Sequence, residues 1–491
     1  MNLLLDDFIS TTSGKISLKE LLTSDIDYEL QYFFDEIQLS ALQLLSSLTT
    51  VVLKPTMDEL KIYLECGITS KQYDEAVAKV NTALFDERQF MQSKSTDDRK
   101  YFDAPITKMI SGIECGDSGN ASGLFSETSN ADVVCPDCVP LLNYNLHMNI
   151  KAESFGPAGG STGIRGGGSI STLIAAKNLK QTVLANTMTT DFFSRYKGNS
   201  TTNKSLMWEE PPTGDIYYAH KIGLERGLFA TAYHISFDRL NEPCVCDICG
   251  NQAQQSIKEF SRLKYTGTYG STKTGRDSGA GWWPHPYTPT TKKNDGVYPL
   301  CARGEKWQSW ENLTAYVIGR ESAKALLEPA PIVAQFKEMD GGANLLVGGN
   351  IADQGSVVGR VYDLYSMPEH WDEKMERVTK VIDAGLLVKD GLSKAISKIF
   401  GVGYDKNLVA GIKDKAIYQY ISNAQIIVQR LLVDAGRTDL AQLRDRALLQ
   451  LKAEALSIYR SLITKYQDDL PLFKALVKGE KSLLSIGKIK N

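Results

Sequence analysis

"TDLAQLRDRALLQLKAEALSIYRSLITKY" spans residues 438–466, and its apolar positions fall at helical spacing. Leu440, Leu443, Ala447, Leu448, Leu451, Ala455, Ile458, Tyr459 and Leu462 advance mostly in steps of three or four, which stacks them on one face of a helix. Thr438 stands where an N-cap belongs, its hydroxyl placed to accept a first-turn N–H. A single apolar stripe needs partners to cover it. Segments of the same texture begin near Asp372, Asp414 and Asp468, with short connections between them. Residues 366–491 are therefore expected to form an antiparallel four-helix bundle.

Upstream the texture differs. From about 111 to 365 the chain is rich in Gly, Thr, Ser, Pro and aromatics, with short alternating runs such as "LFATAYHISF" (228–237), which is strand-and-loop composition. The first 110 or so residues mix helix and short strand. In "DIDYELQYFFDEIQLSALQLLSSL" (25–48) an apolar helical face runs through Leu30, Phe33, Phe34, Ile37, Ala41, Leu44, Leu45 and Leu48. No repeat of 20–50 residues stands out. The fold class expected is α+β: a large mixed N-terminal domain over 1–365, with a structural zinc site, followed by the bundle over 366–491. A length of 491 residues also exceeds what one core usually supports.

Hydrophobic content of 42% and charged content of 23% are those of an ordinary globular protein. The net charge of −3 is unevenly spread. Residues 371–491 hold 21 Lys and Arg against 14 Asp and Glu, whereas the remainder holds 34 against 44. Such a split hints at two roles in one chain. "MNLLLDDFIS" has no basic n-region, and "LSALQLLSSLTTVVL" (39–53) falls short of the ~18 apolar residues of a membrane span. A cytoplasmic setting without a membrane is expected, where eight cysteines point to thiols or metal rather than disulfides.

Cys135-Pro-Asp-Cys138 and Cys246-Asp-Ile-Cys249 are the chemically pointed pairs. Each offers two thiolates to one ion, and together they complete a closed four-sulfur zinc site. The 107 residues between them exceed a zinc ribbon, so two unrelated reduced pairs, or a redox pair, remain alternatives. Cys66, Cys115, Cys244 and Cys301 read as ordinary buried thiols.

Catalytic sets are missing from the sequence. The histidines form no H-E-x-x-H or similar metal motif, and there is no G-x-S-x-G elbow. "GTYGSTKT" (267–274) approaches a phosphate loop, but Thr272 occupies the glycine position that lets backbone N–H groups wrap a phosphate. Binding chemistry remains. "SFGPAGGSTGIRGGGS" (154–169) carries seven glycines, and with Arg165 and Lys273 it can follow a nucleic-acid groove closely. "NLLVGGNIADQGSVVGRVY" (344–362) reads as a hairpin whose tip bears Asn350, Asp353, Gln354 and Ser356, with a solvated turn as the plainer alternative. In the tail, Arg377, Lys380, Lys394 and Lys398, like Arg444, Lys452 and Arg460, recur at spacings that line a stripe, again with a solvated face as the alternative.

In order, "MNLLLDDFI", "QFMQSK" (89–94), the first C-x-x-C, "GIRGGGSIST", "LKQTVLANT", "IGLERGLFATAYHI", the second C-x-x-C-G, "YTG" and "WWPHPYTP" then make a pattern. With the hairpin and helical tail, the chain resembles the CasA family, the large subunit of the type I-E CRISPR Cascade complex. The resemblance implies a non-enzymatic, zinc-bearing subunit in antiviral defence. Its partners would be the other Cascade subunits, crRNA, PAM-containing double-stranded DNA and a helicase-nuclease. It implies a minor-groove reader, since that groove offers a degenerate pattern. Carried onto this sequence, the glycine loop falls on Gly156, Pro157, Ala158, Gly159 and Gly160, and the lysine finger on Lys273. The wedge that splits the first base pair falls on Gln354, beside Asp353, where the family often has an amide. Phe125 matches a segment that contacts the crRNA 5′ end. Lys394, Lys398, Arg444 and Lys452 would give the bundle a phosphate-facing surface.

Overall fold

The computed structural model describes the chain except residues 96–97, 112–130, 151–162, 167–168, 194–205, 215, 218–221, 270–282, 294–295, 305–306, 323–324, 340–342, 354–355, 368–370, 399–405, 467 and 488–491. It divides into two compact units. One comprises Met1–Trp307, Gly319–Met339 and Leu345–Leu364; the other comprises Gln308–Ile318, Asp340–Asn344 and Tyr365–Asn491.

The first unit is mixed α/β. Its central helix, Asp35–Leu53, is buried along nearly its whole length. Length and composition would let it pass for a membrane span, yet 89% of its most apolar window is covered by the protein itself. It starts at Asp35, later than the apolar pattern from Leu30 suggests, because Phe34 is extended at the N-cap. Phe33, placed on the apolar face by that pattern, is 63% exposed. The helix ends where Lys54 turns left-handed (φ 43°) ahead of Pro55.

The helices Val139–Met148, Leu179–Ala185 and Ser70–Val77 pack against it, and the unit also holds several short sheets. Glu259–Lys264 pairs antiparallel with both Phe102–Pro105 and Tyr233–Phe237, placing Arg262 opposite Phe102 on one side and Ile235 on the other. A four-stranded sheet runs in the order Gly296–Pro299, Thr290–Lys293, Ala325–Glu328, Arg320–Ser322. A further sheet holds the hairpin. Strand Asn344–Asp353 is flanked by Ser356–Ser366 and by Ala302–Arg303, and it also pairs with Ser171–Ala175. Ala302 lies opposite Ile351 in a parallel register. Two residues between the long strands leave room only for an antiparallel return.

The second unit is the helical one, built from Trp371–Ser397, Lys406–Ala435, Leu440–Ile463 and Leu470–Leu484. Its core takes Val381, Val388 and Leu392 from the first helix, Tyr420, Val428 and Leu431 from the second, and Leu443, Leu451 and Ile458 from the third. Leu472 and Leu476 come from the fourth. Trp310 explains why Gln308–Ile318 belongs here although it precedes residue 366. Its ring is fully buried and its Nε1 donates to the Ile421 carbonyl at 2.9 Å. Gly385 makes room for it, since a Cβ there would come within 2.7 Å of the indole. The N-cap of Leu440–Ile463 is Asp439, not Thr438. The Asp439 carboxylate accepts from Ala441 and Gln442, whereas the Thr438 hydroxyl turns back to donate to Asp434 O.

Candidate metal centre and nucleic-acid interface

The two C-x-x-C pairs meet. Cys135 and Cys138 bracket a single 3-10 turn, Pro136–Cys138, that leads into the helix Val139–Met148. Cys246 and Cys249 occupy the turn between the paired strands Cys244–Val245 and Gln252–Ala253. Asp247 locks the two turns together: its N–H donates to the Val133 carbonyl at 3.0 Å and its carboxylate accepts the Val133 N–H at 2.8 Å. Gly250 (φ 74°) closes the second turn with an N–H to Cys246 O at 2.8 Å.

All four sulfurs are buried and lie within 4.8 Å of one another. Cys135 and Cys249 are 3.8 Å apart, and Cys138 and Cys246 3.7 Å. A tetrahedral ion with ~2.3 Å bonds to sulfur places its ligands roughly 3.8 Å apart, so the spacing fits four thiolates around one ion and is far too long for disulfides. Hydrogen bonds from Cys135 and Cys138 hold the Cys249 thiol far below its ordinary range. Burial beside the same sulfurs pushes the Tyr32 hydroxyl well up. Lys15 pairs with Asp137 at the edge of the cluster and lends it a positive charge. Three of the other thiols differ from expectation, Cys66 being exposed and Cys244 and Cys301 half-buried; Cys115 lies outside the described residues.

Arg165 corrects the sequence reading. It is 1% exposed and cannot line a groove. Its Nε and Nη2 donate to Thr288 Oγ1 at 3.0 and 2.8 Å, Nη2 also to Ser171 Oγ at 2.8 Å, and Nη1 to Met148 O at 3.2 Å and to Asn149 Oδ1. Burial pulls its pKa down to about 10, so it stays charged near neutral pH. The guanidinium thus ties the chain before residues 151–162 to the strand that follows them. Gly163 (φ 59°) tightens the same junction, because a Cβ there would meet His147 O at 2.7 Å.

A model of the family described as CRISPR-associated protein Cse1 matches residues 2–458. The chain belongs to the Cse1 family. Solved structures agree at the level of fold. Thermus thermophilus CasA (Cse1) aligns with TM-score 0.71 and 13% identity, covering 98% of each chain. Cse1 from Acidimicrobium ferrooxidans aligns at 0.67 and 13%, covering 99% of this chain and 97% of that one. A chain of a CRISPR RNA-guided surveillance complex aligns at 0.65 and 13%, covering 99% of each.

In this Cse1-family chain the remaining residues of interest distribute as follows. Gly156, Pro157, Ala158, Gly159, Gly160, Lys273, Gln354 and Phe125 lie outside the described residues. Asp353 ends the first long strand of the hairpin. Lys394 is exposed and pairs with Asp390 one turn away, and Lys398 and Arg444 are exposed. Lys452 is half-buried, its ammonium donating at 3.0 Å to the Ile486 carbonyl, just past the end of the last helix. Arg377 likewise leaves the stripe to bond Ala435 O at 2.7 Å and Thr438 O.

The sequence reading also missed a set of residues. Glu36, Ser40, Gln43 and Ser47 form a buried polar stripe on the central helix. Ser40 donates to Asn145 Oδ1 at 2.5 Å, Gln43 donates to Ser171 Oγ at 2.7 Å, and Asn149 donates to both Ser40 Oγ and Gln43 Oε1. The signal was present in the sequence: polar residues in steps of four, three and four, flanked by Leu39 and Leu44.

Proposed function

We propose that this chain is the non-catalytic large subunit of a cytoplasmic type I-E CRISPR Cascade complex. In that assembly it recognises the PAM in double-stranded DNA, helps open the duplex for R-loop formation, and recruits the helicase-nuclease in antiviral defence. The observation that carries this reading is the family match over 2–458. The full-length likeness in fold to a chain of an RNA-guided surveillance complex supports it. Division of labour follows RNA-guided logic, with protein reading a short motif and DNA shape while base pairing reads sequence. The glycine loop at 156–160 and Lys273 would approach the minor groove, with Asp353 and Gln354 entering at the first base pair. Phe125 would meet the crRNA end. Lys394, Lys398 and Arg444 would meet phosphates. Zinc held by Cys135, Cys138, Cys246 and Cys249 would be structural, because four protein ligands leave no open position for substrate.

The test is a reconstitution of the complex with crRNA, followed by gel shifts on duplexes with randomised PAM. Enrichment of a short motif that requires this subunit is the expected result. Motif-independent binding, equal with and without it, would leave a structural scaffold in its place.

A further inference from the structure

Of the polar stripe on Asp35–Leu53, Glu36 carries a charge into a place where charge is costly. It is 5% exposed. Its carboxylate accepts the Ser111 N–H and hydroxyl, both at 2.8 Å, and the Asn350 side-chain amide at 3.3 Å. The Arg360 guanidinium lies 3.9 Å from its Oε2 and also pairs with Asp35. Asn350 sits three residues before Asp353 on one hairpin strand, and Arg360 four residues after Ser356 on the other. Ser111 directly precedes residues 112–130. One buried carboxylate therefore holds both strands of the hairpin and the start of a second segment. A buried carboxylate destabilises a fold unless donors surround it, so a neutral residue would serve simple packing better.

We propose that Glu36 is a positioning residue for duplex opening: by accepting hydrogen bonds from Ser111 and Asn350 and attracting the Arg360 charge, it fixes the hairpin that carries Asp353 and Gln354 at a set height. The inference rests on the reading that the hairpin tip enters the duplex. Positioning matters because small displacements of a working group cost large factors in rate.

Complexes assembled with crRNA and the full chain would be followed by fluorescence of a base analogue beside the PAM. The duplexes would be either closed or pre-melted at the first positions. Asp353→Ala with Gln354→Ala tests the underlying reading. Glu36→Gln should slow opening of the closed duplex by roughly tenfold while changing the pre-melted duplex less than about twofold. Adding Asn350→Asp should restore the rate. The amide introduced on the helix then donates to the carboxylate introduced on the hairpin and to Ser111 Oγ, while its oxygen still accepts the Ser111 N–H. Should Glu36→Gln fail to fold, Asn350→Ala asks the same question with the carboxylate still bonded to Ser111. A normal rate for these variants where the tip variant is slow would overturn the positioning role alone. Equal slowing on closed and pre-melted duplexes would do the same. A tip variant that opens DNA normally would overturn the underlying reading and the positioning role with it.

Discussion

At the scale of the residue, the buried polar side chains show where the chain invests. Among the described residues, the hydrogen-bond partners of Arg165 are hydroxyl, amide and carbonyl oxygens. Arg165→Met would strand several buried acceptors, so a loss on the order of 3 kcal/mol or more is expected from denaturant unfolding. A phosphate contact behaves differently: its loss lowers the salt slope of DNA binding by about one unit. Arg165→Met should leave that slope unchanged in whatever complex forms, and a fallen slope would return Arg165 to the DNA. His147 gives a pH prediction. Burial holds it down to about 3, and its Nδ1 accepts the Ala232 N–H at 3.1 Å. The unfolded chain protonates this ring near pH 6.5 while the folded chain resists. Between pH 6.5 and about 3 the unfolded state therefore binds more protons, and stability falls as pH falls, by at most about 1.4 kcal/mol per pH unit. His285, also buried and lowered, acts in the same direction. His147→Gln keeps an acceptor and cannot titrate. It should flatten the loss of stability between pH 6.5 and 5, and an unaltered slope would show that other groups set it.

At the scale of the element, the helices were legible because an amphipathic stripe is a local signal. Leu443, Ala447, Leu448, Leu451, Ala455, Ile458 and Tyr459, picked out by spacing alone, are all buried in the folded unit. What spacing could not show is which polar residue serves which end. Asp439 displaces Thr438 as cap, and Arg377 and Lys452 leave the expected solvent stripe to bond carbonyls at or just past helix ends. Those partners are 34 to 61 residues away, beyond any local pattern. The glycines of the bundle separate by the same test of tertiary context. A Cβ at Gly479 would lie 2.2 Å from the Tyr459 hydroxyl oxygen and 2.8 Å from Ala395 O, a backbone atom that cannot step aside. Gly479→Ala should therefore cost roughly 1–3 kcal/mol by overpacking, despite better helix propensity. Gly411 is exposed within Lys406–Ala435, and its added Cβ would meet nothing within 4 Å. Gly411→Ala should stabilise by roughly 0.5–1 kcal/mol. Thermal unfolding of both variants checks the pair, and equal signs would refute the packing argument.

At the scale of the whole molecule, the candidate metal centre was legible and the polar stripe was not, for one reason. Two C-x-x-C pairs announce their chemistry within four residues each, whereas Glu36 acquires meaning only beside Ser111, Asn350 and Arg360, 75 to 324 positions away. The cysteine cluster also gathers the N-terminal segment: Gln31 Nε2 donates to Cys249 O at 3.2 Å, Phe33 N–H to Ile248 O at 3.0 Å, and Asn251 to Ser10 Oγ at 2.8 Å. An ion there would close a loop of more than 100 residues and hold it against the start of the chain. Metal binding that folding alone makes possible adds its free energy to folding. The bundle unit has a core of its own, to which its four helices and Trp310 contribute. Calorimetry of the purified chain should therefore show two transitions, with one zinc per chain by metal analysis. Chelation, or Cys246→Ser, should lower the midpoint of the transition belonging to the cysteine-bearing unit by several degrees and leave the bundle's own transition in place. If zinc is absent, or if chelation shifts neither transition, the four cysteines are reduced thiols that happen to pack together. If it shifts both equally, the two units unfold as one, and the metal's influence extends to the whole chain.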